Sequence, residues 1–341
     1  MNFAPVVIPT LNRYEHFKNC VESLKNNKYA DCTDLIIALD YPPAQKYEEG
    51  HRKISDYLKT LDGFKKLIVV KRKENLGAIE NIKSILSYVC KNYETFIFTE
   101  DDNIFAECFL EYANKGLELF KDDLSIESVS GYSYPVPYKK NEFNVAKIQR
   151  YFSDWGFATW KNRYLEAKNT LTNDFFIQLF KDQKACRKLR AKSKKNYTRA
   201  ISFIKDKNVR PYDYTNSIGQ IILNRFSIMP KETLVKNTGW DNSGLHCKSS
   251  ALISKKFNEQ KLSERKKWND FIFDEKDQSN PLGVRTSDNG PRERWNTLPE
   301  DIRDMFRQVL GQETAEGKMR DEFCYTPAKW IEALHRCFEG E

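Results

Sequence analysis

No stretch of this sequence approaches the ~20 consecutive apolar residues that a membrane-spanning helix needs. None of the eight cysteines (Cys20, Cys32, Cys90, Cys108, Cys186, Cys247, Cys324, Cys337) stands in a CxxC pair, which argues against a zinc cluster. Most of them lie within apolar patterns and read as buried thiols in a reducing compartment. The N-terminal "MNFAPVVIPTLNR" has no basic start and no small-residue cleavage site, so it reads as a first strand and not as a signal peptide. A cytoplasmic location is the expectation. Internal repeats, low-complexity segments and nucleic-acid-binding motifs are absent, and the aromatic residues are not interleaved with the basic ones. Nucleic acid is therefore not an expected partner.

What is present is a core-forming composition. The 341 residues are 40% hydrophobic and 13% aromatic, enough for one large domain with an appendage or for two domains. The net charge of +8 is uneven: residues 281–341 carry 9 Lys+Arg against 12 Asp+Glu, and Arg outnumbers Lys there, whereas Lys dominates before it. The tail reads as a separate module. A capping-box pattern at Thr297 and Glu300 and a Thr326-Pro327 start predict two helices in it.

The first half alternates two periodicities. Short apolar runs at "FAPVVIPT", "DLIIALD", "KKLIVVKR", "TFIFT" and "IESVSGYS" read as strands buried on both faces. Between them, apolar residues recur at helical spacing, as at Phe17, Cys20, Val21 and Leu24, or Ile79, Ile82, Leu86 and Val89. This alternation predicts an α/β fold with a mostly parallel sheet flanked by helices. In such sheets ligands bind beyond the carboxyl ends of the strands. Three polar strand ends meet there: Thr10 to Arg13, Asp40, and the triplet Glu100-Asp101-Asp102.

The triplet has two readings. One is a helix N-cap, where carboxylates satisfy free N–H groups. The other is a ligand site, because a cap needs one acid and not three. In an extended segment Glu100 and Asp102 point one way and Asp101 the other. A hard ion such as Mg²⁺ or Mn²⁺ takes one or two protein carboxylates and leaves positions for phosphate oxygens. With Arg13 in the first loop, the acidic strand end suits a nucleotide diphosphate.

Taken in order, "VVIPTLNRYEHFKNCVESL", "KENLGAIENI", "FIFTEDDNIFAECFLEY", "VSGYSYP" and "WGFATWKNRY" resemble bacterial family 2-type glycosyltransferases of the GT-A fold. The Glu-Asp-Asp triplet is also similar to that of the N-acetylglucosaminyltransferase I group. The resemblance covers roughly residues 3–250. It implies a GT-A domain over 1–285, with a nucleotide-binding half at 1–135 and an acceptor half at 136–285. A helical appendage at 286–341 follows.

The resemblance also implies roles. Asp102 and the late-loop His246 would hold Mn²⁺ or Mg²⁺. Thr10 and Arg13 would meet the diphosphate of a UDP-sugar, Asp40 the uracil edge, and Asp101 and Glu100 the ribose and sugar. Asn75 and Gly77 would shape the nucleotide loop, and Trp155 and Gly156 the sugar and acceptor pocket. Relatives carry a catalytic carboxylate near the position that here is Gly219. Asp241, Asp213 or Asp154 is expected to replace it as the base, with Asp241 favoured by its place in the loop "NTGWDNSGLHCK".

The implied partners are a nucleotide-sugar donor and a glycan or glycolipid acceptor such as lipopolysaccharide or capsule. The basic run 181–210, with 12 Lys/Arg against Asp182 and Asp206, is a solvated face or a contact to the anionic inner face of the membrane. Two other readings stay open. A sugar-nucleotidyltransferase would share the sheet, but "PTLNRYEHF" lacks the glycine-rich loop it needs. A catalytically degenerate glycan- or membrane-binding module is the other.

Overall fold

The computed structural model describes residues 3–134, 143–205, 211–241 and 258–273. The expected tail helices and His246 lie outside these. The described chain divides into two compact units. One runs up to Glu166 and resumes at Arg225; the other is Ala167–Asn224.

The first unit is the expected mostly parallel α/β sheet. Strands β1 (Val6–Thr10), β2 (Asp34–Leu39), β3 (Lys66–Lys71) and β4 (Thr95–Phe98) are joined by helices α1 (Tyr14–Lys25), α2 (Glu48–Thr60) and α3 (Gly77–Asn92). Beyond them come β5 (Asn103–Phe105), α4 (Phe109–Leu119), β6 (Ile126–Ser130), β7 (Val145–Ile148), β8 (Phe157–Trp160), β9 (Phe226–Pro230) and β10 (Val235–Asn237). The large sheet has the order β3-β2-β1-β4-β8-β6-β9-β7, and β5 pairs separately with β10. Strands β8 and β7 run antiparallel to their neighbours; the other pairings in the large sheet are parallel.

The edge between β1 and β4 creates the site. Pro9 lies in β1, a central strand, where a missing N–H is normally costly. In this ladder the odd-numbered residues of β1 face β4: Ile97 N–H donates to Pro5 and Thr99 N–H to Val7. Pairing with β4 ends at Val7, so the lost donor of Pro9 falls where the two strands have already parted. Thr10 O meanwhile still accepts from Asp40 N–H across to β2. The acidic triplet enters the resulting gap.

The core is continuous under α1, α2 and α4, with Phe17, Leu35, Ile97, Phe109 and Tyr112 fully buried. The segment 258–273 closes over α4. Trp268 and Phe271 pack on Tyr112, and Trp268 N–H donates to the buried Glu111 carboxylate at 2.9 Å. All five cysteines among the described residues are free thiols, and four of them are buried.

The second unit is helical: the end of α5 (Lys161–Thr170), then α6 (Asn173–Lys181), α7 (Gln183–Lys192), α8 (Lys194–Lys205) and α9 (Tyr212–Leu223). The basic run is thus helical through Lys205, and its apolar positions Cys186, Leu189, Ala200, Ile201 and Phe203 bury in this unit's core. Asp182 caps α7 by accepting from the N–H groups of Lys184 and Ala185. No helix of the described residues is long and apolar enough to cross a membrane.

Candidate active site

The helix-cap reading of the triplet does not hold. Asp101 and Asp102 form a turn that leads into strand β5, and α4 starts only at Phe109. The turn also corrects the expected alternation of side chains. An extended segment would separate Asp101 from Asp102, whereas the turn brings both to Arg13. Arg13 donates through Nη1 to Asp102 Oδ2 at 2.8 Å and through Nη2 to Asp101 Oδ1. The two carboxylates are 8% and 6% exposed and Arg13 is 24% exposed, so a half-buried guanidinium is the counter-charge to a buried pair.

Other segments complete the cluster. Thr10 Oγ1 donates to Asp101 Oδ2 at 2.7 Å. Asn237 Nδ2 donates to Asp102 Oδ1 at 2.7 Å. Thr238 donates both its N–H and its hydroxyl to the Asp102 carbonyl, each at 2.8 Å. Trp155 Nε1 donates to Glu100 Oε2 at 2.9 Å. The Trp155 ring lies edge-on to Tyr132 and Trp240, which makes an aromatic wall beside Glu100.

The titration behaviour follows from this packing. Burial pushes the Glu100 carboxyl up to about 8, aided by repulsion from Asp102 and Asp101. Burial also raises Asp101, against the opposing pull of Arg13. Burial works against the charge on Arg13, but Asp101 and Asp102 more than offset it, so its pKa ends above the ordinary value.

Two glycines are required by the geometry. A Cβ at Gly239 would lie 2.2 Å from Asp102 Oδ2. Gly156 has φ +69°, and a Cβ there would lie 2.8 Å from Val235 Cγ2. Gly156 thereby lets β8 follow directly on Trp155.

Asp40 and Asn75 form a neighbouring cluster, joined to the first through Thr10. Asp40 Oδ1 accepts from the N–H groups of Tyr41 (2.9 Å) and Leu76 (3.0 Å), and Oδ2 from Asn75 Nδ2 at 3.2 Å. Gly77 follows at the start of α3 with φ +72°.

The candidate bases part company. Asp241 pairs with His16, whose other ring nitrogen meets Thr238, so it belongs to the acidic turn's surroundings. Asp154 is partly buried next to Trp155. Asp213 lies in the first turn of α9 in the helical unit, its pKa raised by burial against the pull of Lys195 and Arg199. Gly219 of the same helix is a packing residue. A Cβ there would be 2.7 Å from Leu171 Cδ1, so an acid at 219 would have to displace Leu171.

Sequence reasoning missed Asn237, Thr238, Gly239 and His16. The available signal for His16 was its position three residues after Arg13, in the first turn of the helix that follows it.

No protein-family model and no curated protein matches the chain. Of the solved structures similar to it, three illustrate the likeness. One is a mannosyltransferase from Pyrobaculum calidifontis in complex with GDP-Man and Mn²⁺, at 16% identity and TM-score 0.34 over 48% of this chain and 45% of that one. Another is S. aureus TarS, at 12% identity and TM-score 0.35 over 49% of this chain and 30% of that one. The third is TarS 1–349, at 13% identity and TM-score 0.42 over 100% of this chain and 92% of that one. The chain therefore spans less than half the length of the first two.

Proposed function

We propose that the chain is a glycosyltransferase of the GT-A kind, moving a sugar from a nucleotide diphosphate sugar to a glycan acceptor. The observation that carries this reading is the buried carboxylate pair bridged by Arg13 where β1 and β4 part, at the carboxyl edge of the parallel strands.

A divalent ion fits the donor set. The side chains around Asp102 offer hard oxygen ligands, the kind Mg²⁺ and Mn²⁺ take. Among the described residues no group of three or more His, Cys, Asp or Glu side chains is placed to hold an ion. Mg²⁺ in such sites leans on one or two carboxylates and completes its shell with phosphate oxygens and water. Asp102 would hold it, with His246 as the second proposed ligand. When bound, the ion supplies positive charge to the diphosphate that leaves.

The chain's own residues do the rest. Arg13 and Thr10 orient the diphosphate. Asp40 and Asn75 hold the loop that meets the base, with a UDP-sugar as the first donor to test. Glu100 and Asp101 face the ribose and sugar, and the Trp155 wall excludes water from the anomeric carbon. Asp241 takes the acceptor hydroxyl proton as that oxygen attacks. The new C–O bond forms on the face opposite the breaking bond to phosphate, whose electron pair leaves with the nucleotide, so the anomeric configuration inverts. A cell-surface glycan such as lipopolysaccharide or capsule is the proposed acceptor. The cations along α7 and α8 favour acceptors or surfaces that carry negative charge.

Calorimetric titration of UDP, with GDP alongside, tests the reading with and without Mn²⁺ on the wild type and Asp102→Asn. Metal-dependent binding that is lost in the variant is the expected result. Binding indifferent to both metal and variant would refute it.

A further inference from the structure

His16 joins two parts of the site that the sequence left separate. It lies in the first turn of α1, three residues after Arg13, the residue that precedes the helix. Arg13 reaches the acidic turn; His16 reaches the loop that wraps it. Its Nδ1 is 3.2 Å from Thr238 Oγ1, and its Nε2 is 2.9 Å from Asp241 Oδ2.

The hydrogens can be assigned. Thr238 spends its hydroxyl proton on the Asp102 carbonyl at 2.8 Å, so toward the ring its oxygen can only accept. The Asp241 carboxylate also accepts. Both ring nitrogens therefore face oxygens within hydrogen-bond distance. The Asp241 side chain is 47% exposed, and the contact to His16 ties it to α1. A partly exposed pair of this kind adds little to stability. Its consequence lies in aim.

We propose that His16 is a positioning residue that fixes the 237–241 loop to α1 and aims the Asp241 carboxylate beside the acidic turn. This rests on the glycosyltransferase reading, in which Asp241 takes the acceptor proton. A base held in one direction removes part of the orientational cost of proton transfer; the same base left free does not. His16 itself does not receive the proton, because both of its nitrogens are engaged.

The test has two arms. In the first, ¹⁵N imidazole spectra of the full chain follow the His16 ring in the wild type, Asp241→Asn and Thr238→Val. Each substitution is expected to shift one of the two ring nitrogens, and a ring that answers to neither overturns the proposal. In the second, His16→Ala is expected to bind UDP and melt as the wild type does. Its kcat should fall about tenfold or more while the donor KM stays within about twofold. His16→Gln, whose amide can still donate to Asp241, should recover part of the loss. An unchanged kcat in His16→Ala overturns the proposal while UDP binding leaves the broader reading standing. Absence of binding of both UDP and GDP to the wild type would instead refute the broader reading, and the first arm would still decide whether His16 holds Asp241.

Discussion

Replacing Arg13 with alanine removes the one guanidinium that bridges Asp101 and Asp102. One contact is 2.8 Å long, and both carboxylates are under 10% exposed, at 8% and 6%. Removing one partner of a buried ion pair costs about 3–5 kcal/mol, because the remaining charge stays desolvated. Arg13 itself keeps 24% exposure, which places the cost toward the low end of that range. We expect about 3 kcal/mol, or a fall in Tm of about 6–12 °C for a unit of this size. Thermal melts of the ligand-free protein measure it. Arg13→Lys should recover part of the loss, since it restores the charge but not the fork that reaches two carboxylates at once. Mn²⁺ should raise the Tm of Arg13→Ala more than that of the wild type, because it returns a cation to a pair that lacks one. A variant that melts within about 1 °C of the wild type would refute the argument, since an uncompensated buried pair cannot be that cheap.

Two further predictions concern the same turn. Gly239→Ala places a methyl where 2.2 Å separates it from Asp102 Oδ2, so the 237–241 loop must retreat. The expected result is a rise of at least about tenfold in the Kd for UDP with Mn²⁺, since a displaced Asn237 and Thr238 no longer fix Asp102; an unaltered calorimetric Kd would count against the loop's role. Glu100 gives a pH dependence with a definite sign. Its folded pKa, about 8, lies above the ordinary carboxylate value, so the folded state holds its proton while the unfolded state has lost it. Its contribution to stability is therefore full at acid pH and declines as pH rises toward 8. Between pH 5.5 and about 8 the wild-type Tm should fall more than that of Glu100→Gln, which has nothing to titrate; parallel curves would remove burial as the cause.

The architecture from β1 to α4 was legible because its strands are continuous apolar runs and its helices carry clean apolar stripes. Strands β1 to β4 and β6, and helices α1 to α4, follow the expected pattern. The strands that escaped are short. β5 and β10 have three residues each, and their pairing joins Asn103 to Asn237 and Phe105 to Val235. No local signal in either segment announces a partner so distant. The basic run obscured α7 and α8 for another reason: charge dominates the composition, while Cys186, Leu189, Ala200 and Phe203 supply the buried face. Thr10, Arg13 and the triplet were readable as a set because parallel strands deliver their ends to one edge. Asn237 and Thr238 were not, since they arrive from the far strand β10 and its following turn.

Three adjacent carboxylates are tolerable here because each has a hydrogen-bond donor of its own. Glu100 is held by the Trp155 indole, Asp101 by Thr10, and Asp102 by Asn237 and Thr238, while Arg13 bridges the last two. With Glu100 pushed up to about 8, its carboxyl is mostly protonated at neutral pH. Two carboxylates then share one guanidinium, and the turn is short of a positive charge. A diphosphate brought to this edge would add negative charge to a deficit. Coulomb repulsion of about 4 kcal/mol per like pair at 4 Å and an effective dielectric near 20 would work against it. Arg13, already committed to two carboxylates, cannot by itself neutralise a third anion. The electrostatics of the turn thus call for a further cation to arrive with the nucleotide, which is why metal dependence is the property on which the proposed function is tested first.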